Sequence, residues 1–178
     1  MNSVPRKRYR GMTVLAAIAV SSVVYVSTPD ALAAQLQPDA CKLLTRKEAT
    51  RVLGKAARRQ AKIRSVQGSE CIYAAEKDAK RVVRLAFGQF GSDDEASKAY
   101  TMARANAQFD GLKVENVRRV GQRAHWLPQS NNFERTVLGE KLGFGELVVL
   151  NGRRVYAVDV APPSKNKARD AINLVIAD

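Results

Sequence analysis

Leu147-Val148-Val149-Leu150-Asn151-Gly152-Arg153-Arg154-Val155-Tyr156-Ala157-Val158-Asp159-Val160 is the stretch that decides the fold. Asn-Gly between two runs rich in β-formers is the strongest short-range hairpin signal, because both turn residues need positive φ and these two types tolerate it. It predicts strands over 147–150 and 153–160. Working upstream, Gly143-Phe144-Gly145 lacks the lysine and following helix of a phosphate loop and reads as a turn or bulge. Further strands are expected over 114–120, 123–127 and 137–142. Val83, Leu85 and Phe87 alternate along 81–90, Cys71 and Tyr73 sit in a strand over 70–75, and the polar segment 57–65 reads as an edge strand.

Helices punctuate these runs. Thr45 and Glu48 form a capping box, Leu44 and Ala49 occupy staple positions, and Gly54 stops the helix. Ser92 and Glu95 form a second box with Asp93 and Asp94 in the first turn. A stripe of Ala96, Ala99, Tyr100, Ala103 and Ala107 then runs to Asp110-Gly111. After Pro162-Pro163 a last helix starts near Ser164, with Ala168, Ala171, Ile172, Val175 and Ile176 on one side. The order α-βββ-α-βββ-α predicts an α+β fold: an antiparallel sheet of about six strands with helices packed on one face. Both halves show a helix followed by a meander, the pattern a duplication leaves.

The N-terminus carries a different signal. Arg6, Lys7, Arg8 and Arg10 precede an apolar run, 12–26, of 15 residues, and Ala31-Leu32-Ala33 follows Pro29. This is the three-part pattern of a secretory signal, cut after Ala33 or next best after Ala34. A spanning anchor needs about 20 apolar residues. Residues 1–33 are therefore expected to be a signal peptide and 34–178 a single basic domain, periplasmic or secreted, in a bacterium. Four of the 30 Lys and Arg and one of the 17 Asp and Glu lie in the signal, leaving a net charge of +10 on the domain. That charge favours anionic partners: lipid headgroups, lipopolysaccharide, acidic glycans or acidic proteins.

Two cysteines, Cys41 and Cys71, fit neither CxxC nor a metal spacing. In an oxidising compartment one pairing exists, and they are expected to form a disulfide. Pro38, Asp39 and Ala40 before Cys41 do not make a lipobox, which favours a structural cysteine over a lipidated N-terminus.

Several motifs together resemble a broad group of small bacterial exported domains of unknown function, many of them lipoproteins. They are Cys41-Lys42-Leu43-Leu44-Thr45 through Glu48-Ala49 and Leu53-Gly54, a second cysteine within a strand, Val120-Gly121 with Ala124-His125-Trp126, the Leu-Val-Val-Leu-Asn-Gly hairpin and a terminal amphipathic helix. The resemblance implies the fold and the compartment and brings no catalytic residues. The group often has Asp where Gln122 stands, and this chain lacks the lipid anchor.

A catalytic triad would have to use the one histidine, His125, but no serine elbow accompanies it and both cysteines are spent. His125 is therefore expected to be a structural partner beside Trp126. No cofactor or metal site is expected. A carboxylate-based hydrolase would need two of Glu134, Glu140, Glu146 and Asp159 in one cleft. Cations cluster at Arg58/Arg59/Lys62/Arg64, Lys80/Arg81/Arg84, Arg118/Arg119/Arg123 and Arg153/Arg154. Arg58, Arg59, Arg118, Arg119, Arg123, Arg153 and Arg154 are the candidate anion-binding residues. Nucleic acid is not expected, given export and the lack of a stacking platform, and membrane contact would be peripheral at most. The leading expectation is an exported, non-enzymatic binding domain for an anionic envelope partner. The alternatives are an inhibitor or accessory subunit of an exported enzyme, using loop 128–135, and the hydrolase.

Overall fold

The computed structural model describes residues 38–65, 68–128, 134–137 and 140–176, all within the unit Ala34–Asp178. Residues 1–33, expected to be a signal peptide, and most of loop 128–135 lie outside the described residues. In chain order the elements are α1 (Ala40–Leu43), α2 (Arg46–Leu53), β1 (Ala57–Ser65), β2 (Gly68–Ala75), β3 (Asp78–Gln89), α3 (Asp93–Phe109), β4 (Glu115–Val117), β5 (Arg123–Leu127), β6 (Glu134–Val137), β7 (Glu140–Gly143), β8 (Gly145–Asn151), β9 (Arg154–Ala161) and α4 (Lys165–Ile176).

The fold is α+β. Seven strands form one antiparallel sheet in the order β1-β2-β3-β9-β8-β5-β4, and β6-β7 is a separate two-stranded ribbon. The hairpin that joins β8 to β9 turns one residue later than expected: Asn151 ends β8 paired with Arg154, and Gly152-Arg153 make the two-residue turn, with Gly152 at φ 58° and Asn151 not at positive φ. The segment expected as one strand over 137–142 spans parts of both ribbon strands, and the strand expected over 114–120 ends at Val117.

Alternation along the strands settles which helix covers which face. Tyr73, Val83, Leu85, Phe87, Tyr156, Val158, Leu147, Val149 and Trp126 point to one face, where they bury Leu44, Val52 and Leu53 around α2 and Ala168, Ile172 and Val175 of α4. Val148 and Leu150 point the other way and pack on Ala96 and Tyr100 of α3. Helices thus occupy both faces rather than one. The small-residue stripe of α3 marks a sheet-packing helix, but nothing local says from which side it arrives. For the same reason the meanders β1-β2-β3 and β4-β5-β8-β9 are not equivalent halves: the helices that precede them lie on opposite faces.

The second face is divided. α3 covers one end, and Leu142 and Phe144 cover the other, over Ala74, Val82 and Ala161. Between these apolar patches Arg84, Asp159 and Glu146 stand in one cross-strand row. Arg84 donates to Glu70 through Nε at 2.9 Å and Nη2 at 2.7 Å, and to Asp159 through Nη1. Burial opposes the charge on Arg84, but Asp159 and Glu70 outweigh it, and the guanidinium pKa rises above its ordinary value.

Both expected caps operate, one in altered form. The Thr45–Glu48 box is complete. Ser92 caps the Glu95 amide, but the Glu95 carboxylate accepts from the Gly91 N–H at 2.9 Å, one residue before the N-cap. Cys41 and Cys71 form a disulfide that ties α1 to β2.

Candidate anion-binding site

β4 pairs with the start of β5, and the chain between them must bend within the five residues 118–122. The bend is anchored at three points. Val120 is buried, the Gln122 N–H donates to the Leu150 carbonyl at 2.9 Å, and Gln122 Oε1 accepts from the Gly152 N–H at 3.0 Å. Gly121 sits at φ 54°, and a Cβ there would lie 2.6 Å from Val149 Cγ1 and 2.7 Å from the Leu150 oxygen. Only glycine lets the bend lie this close to the hairpin. Just ahead, Arg119 holds φ 61°, a left-handed conformation that costs a non-glycine residue about 1 kcal/mol or more.

α4 supplies the opposite wall. Its apolar side is buried, which leaves Lys165 and Arg169, four residues apart, on the side toward the bend. Together Asn116, Val117, Arg118, Arg119, Lys165 and Arg169 line an open depression of about 380 Å³. Four of those six residues are cations and none is acidic. Lys165 donates to Glu115 at 2.7 Å, and Lys113 pairs with the same carboxylate at 2.9 Å. These two hydrogen bonds hold Glu115 below the usual carboxylate range. Asn116 accepts from Arg104 at 2.6 Å. Arg118, Arg119 and Arg169 have no carboxylate partner among the described residues. Their guanidinium groups present donor forks that match phosphate or carboxylate oxygens.

The other expected cations lie elsewhere. Arg58 and Arg59 are on β1, the opposite edge of the sheet, six strand spacings or about 29 Å from β4. Arg123 stacks over the Tyr100 ring at 4.8 Å. Arg153 reaches the Gly91 carbonyl at 3.4 Å and Asp93 at 4.0 Å, and Arg154 is exposed beside it at the hairpin. Of the expected set, Arg118 and Arg119 share this depression. Lys165 and Arg169 were missed; their i,i+4 spacing on the polar side of an amphipathic helix was the available signal.

The carboxylates expected for hydrolysis are placed in part. Glu146 and Asp159 face each other across β8 and β9, but Asp159 is buried at 1 % exposure and held by Arg84. The side chains of Glu134 and Glu140 lie outside the described residues. His125 is fully buried under α3 with the Tyr100 ring edge-on at 4.9 Å, and neither ring nitrogen has a hydrogen-bond partner among the described residues. Burial, helped by Arg104 and Arg123, pushes its pKa down to about 4. The unfolded chain takes up that proton near pH 6.5. Stability is therefore full above pH 6.5 and falls as the pH drops toward 4. Replacing the ring by an apolar side chain of similar volume, His125→Leu, should stabilise the fold by about 1 kcal/mol at pH 7. The gain should widen at pH 4.5, read by urea denaturation at the two pH values.

No protein-family model matches the chain, and no curated protein shows significant similarity to it.

Proposed function

We propose that this is an exported, non-enzymatic binding domain that takes an anionic envelope partner in the groove between the β4–β5 bend and α4. The observation that carries the reading is the convergence of Arg118, Arg119 and Arg169, each without a carboxylate partner among the described residues, with Lys165 on one depression free of acids. Cations left uncompensated around a concavity repel one another, and an anion relieves that repulsion. The domain's net charge of +10, the secretory signal pattern and the resemblance to exported bacterial domains support an envelope setting. So does the disulfide, which suits an oxidising compartment. Among the described residues no helix is long and apolar enough to cross a membrane.

The test is binding to phosphatidylglycerol vesicles and to an acidic glycan. Affinity should fall steeply as salt shortens the Debye length from about 10 Å at 0.1 M to about 3 Å at 1 M. At about 1 kcal/mol per cation near an anionic surface, Arg118→Ala with Arg169→Ala should weaken binding about 30-fold. Arg58→Ala with Arg59→Ala, which changes the net charge equally at the far edge, should weaken it much less. Equal losses for the two pairs, or indifference to both ligands at low salt, would overturn the proposal.

A further inference from the structure

The two edges of the sheet are unlike. β4 is three residues long and lies beside the groove, whereas β1 runs for nine residues, Ala57–Ser65, and pairs only through its inner side with β2 among the described residues. In an antiparallel pair every second residue turns its N–H and C=O away from its neighbour. An edge of this length is therefore a template for another strand. Two outward groups are already occupied: the Ala57 carbonyl accepts from Arg46 Nε at 2.7 Å and the Ala57 N–H donates to Thr50 Oγ1 at 3.1 Å. A register shift between Arg59 and Ala61 then separates this start from the run 61–65, which pairs regularly with β2.

The side chains say what kind of strand fits. β1 reads Ala-Arg-Arg-Gln-Ala-Lys-Ile-Arg-Ser and has no acidic residue. Arg58 and Arg59 are exposed and have no carboxylate partner among the described residues. Lys62 is partly neutralised by Asp39 at 2.5 Å. Ile63, on the same face as Glu70 of β2, is 49 % exposed, an apolar contact left open in a polar edge. A second copy is a poor occupant, since β1 against β1 would bring two rows of cations together, and like charges on paired strands destabilise. An extended segment with acidic side chains meets the same row with opposite charge.

We infer that the β1 edge is a docking site for an extended acidic segment of a partner protein, which adds a strand along residues 61–65, lays its carboxylates on the face that carries Arg59 and Lys62 and meets Ile63 with apolar side chains on the other face. Main-chain hydrogen bonds would supply affinity and the cations would select the partner. This surface is separate from the groove and does not depend on it.

The experiment titrates a peptide of alternating glutamate and valine into the oxidised, isotope-labelled protein at low salt, with a lysine–valine peptide as control. The acidic peptide should shift the amide signals of residues 61–65 and slow their hydrogen exchange, and the lysine peptide should do neither. Arg58→Glu with Arg59→Glu should weaken the acidic peptide at least tenfold while exchange in β2 and β3 stays unchanged, which separates lost binding from lost folding. The inference is overturned if shifts appear only at Asn116–Arg119 and Arg169, if both peptides bind alike, or if no shift appears on β1. It is overturned equally if the β1 amides become protected through concentration-dependent self-association.

Discussion

Arg84→Met should destabilise the domain by about 3–5 kcal/mol, the usual cost of removing one partner from a buried ion pair. The midpoint of thermal unfolding should fall by about 10 °C or more for a chain of this size. The side chain of Arg84 is 10 % exposed and that of Asp159 1 %. Asp159 faces Glu146 across β8 and β9, and Glu70 flanks the same guanidinium. Without Arg84 the buried Asp159 carboxylate loses the guanidinium that meets it, and Glu70 loses the same partner. The penalty is therefore electrostatic. Removing both charges, Arg84→Met with Asp159→Leu, should recover most of the loss, because two apolar side chains of similar size pack where the pair sat. Urea denaturation of the three proteins at pH 7 checks the set. A double variant as unstable as the single one would mean that packing, not charge, is the function of Arg84.

Loss of the disulfide is the second large effect. Cys41→Ala with Cys71→Ala, or reduction of the natural protein, should cost about 3–4 kcal/mol on the chain-entropy account for cysteines 30 residues apart. The damage should be uneven. α1 has four residues, too short to be stable alone. Beyond the bridge it is held by the Asp39 cap, by Ser69, which accepts from the Ala40 N–H at 2.8 Å and donates to the Pro38 carbonyl at 2.6 Å, and by the Lys62–Asp39 pair. Ala40 and Leu44 are fully buried at this junction. Hydrogen exchange should therefore accelerate first at residues 40–44, while amides of β3 and β9 at the centre of the sheet exchange only through global unfolding. Uniform acceleration across the domain would show that α1 is not an independent opening unit.

Reading the chain in order recovers much of the fold because its signals are local. Gly152 marks the β8–β9 turn by itself, although the turn residues are Gly152-Arg153, one position later than the Asn-Gly pair reads. The caps of α2 and α3 act within four residues. Strand β5 falls at Arg123–Leu127 as its pattern predicts. α1 was missed because a single turn leaves no periodicity to read. The site was legible only by halves. Arg118 and Arg119 stand out as a basic pair, but their partners Lys165 and Arg169 come some 50 residues later and resemble any solvated helix face.

By itself, then, the sequence determined the α+β class, most of the elements, the bridge between the two cysteines and an excess of positive charge over carboxylates. The tertiary structure alone decided three things: that α3 lies on the face opposite α2 and α4, that Arg84 meets Asp159 75 residues away, and that the β4–β5 bend faces α4 across a groove. The physical reason is range. Turns, caps and alternation are set by interactions a few residues apart, which spacing displays directly. The face a helix covers and the charges that converge are set by strand order and the direction in which each connection returns to the sheet. Those are fixed when distant apolar surfaces bury one another, so cations that look alike along the chain become a buried strut, an open edge or the wall of a groove.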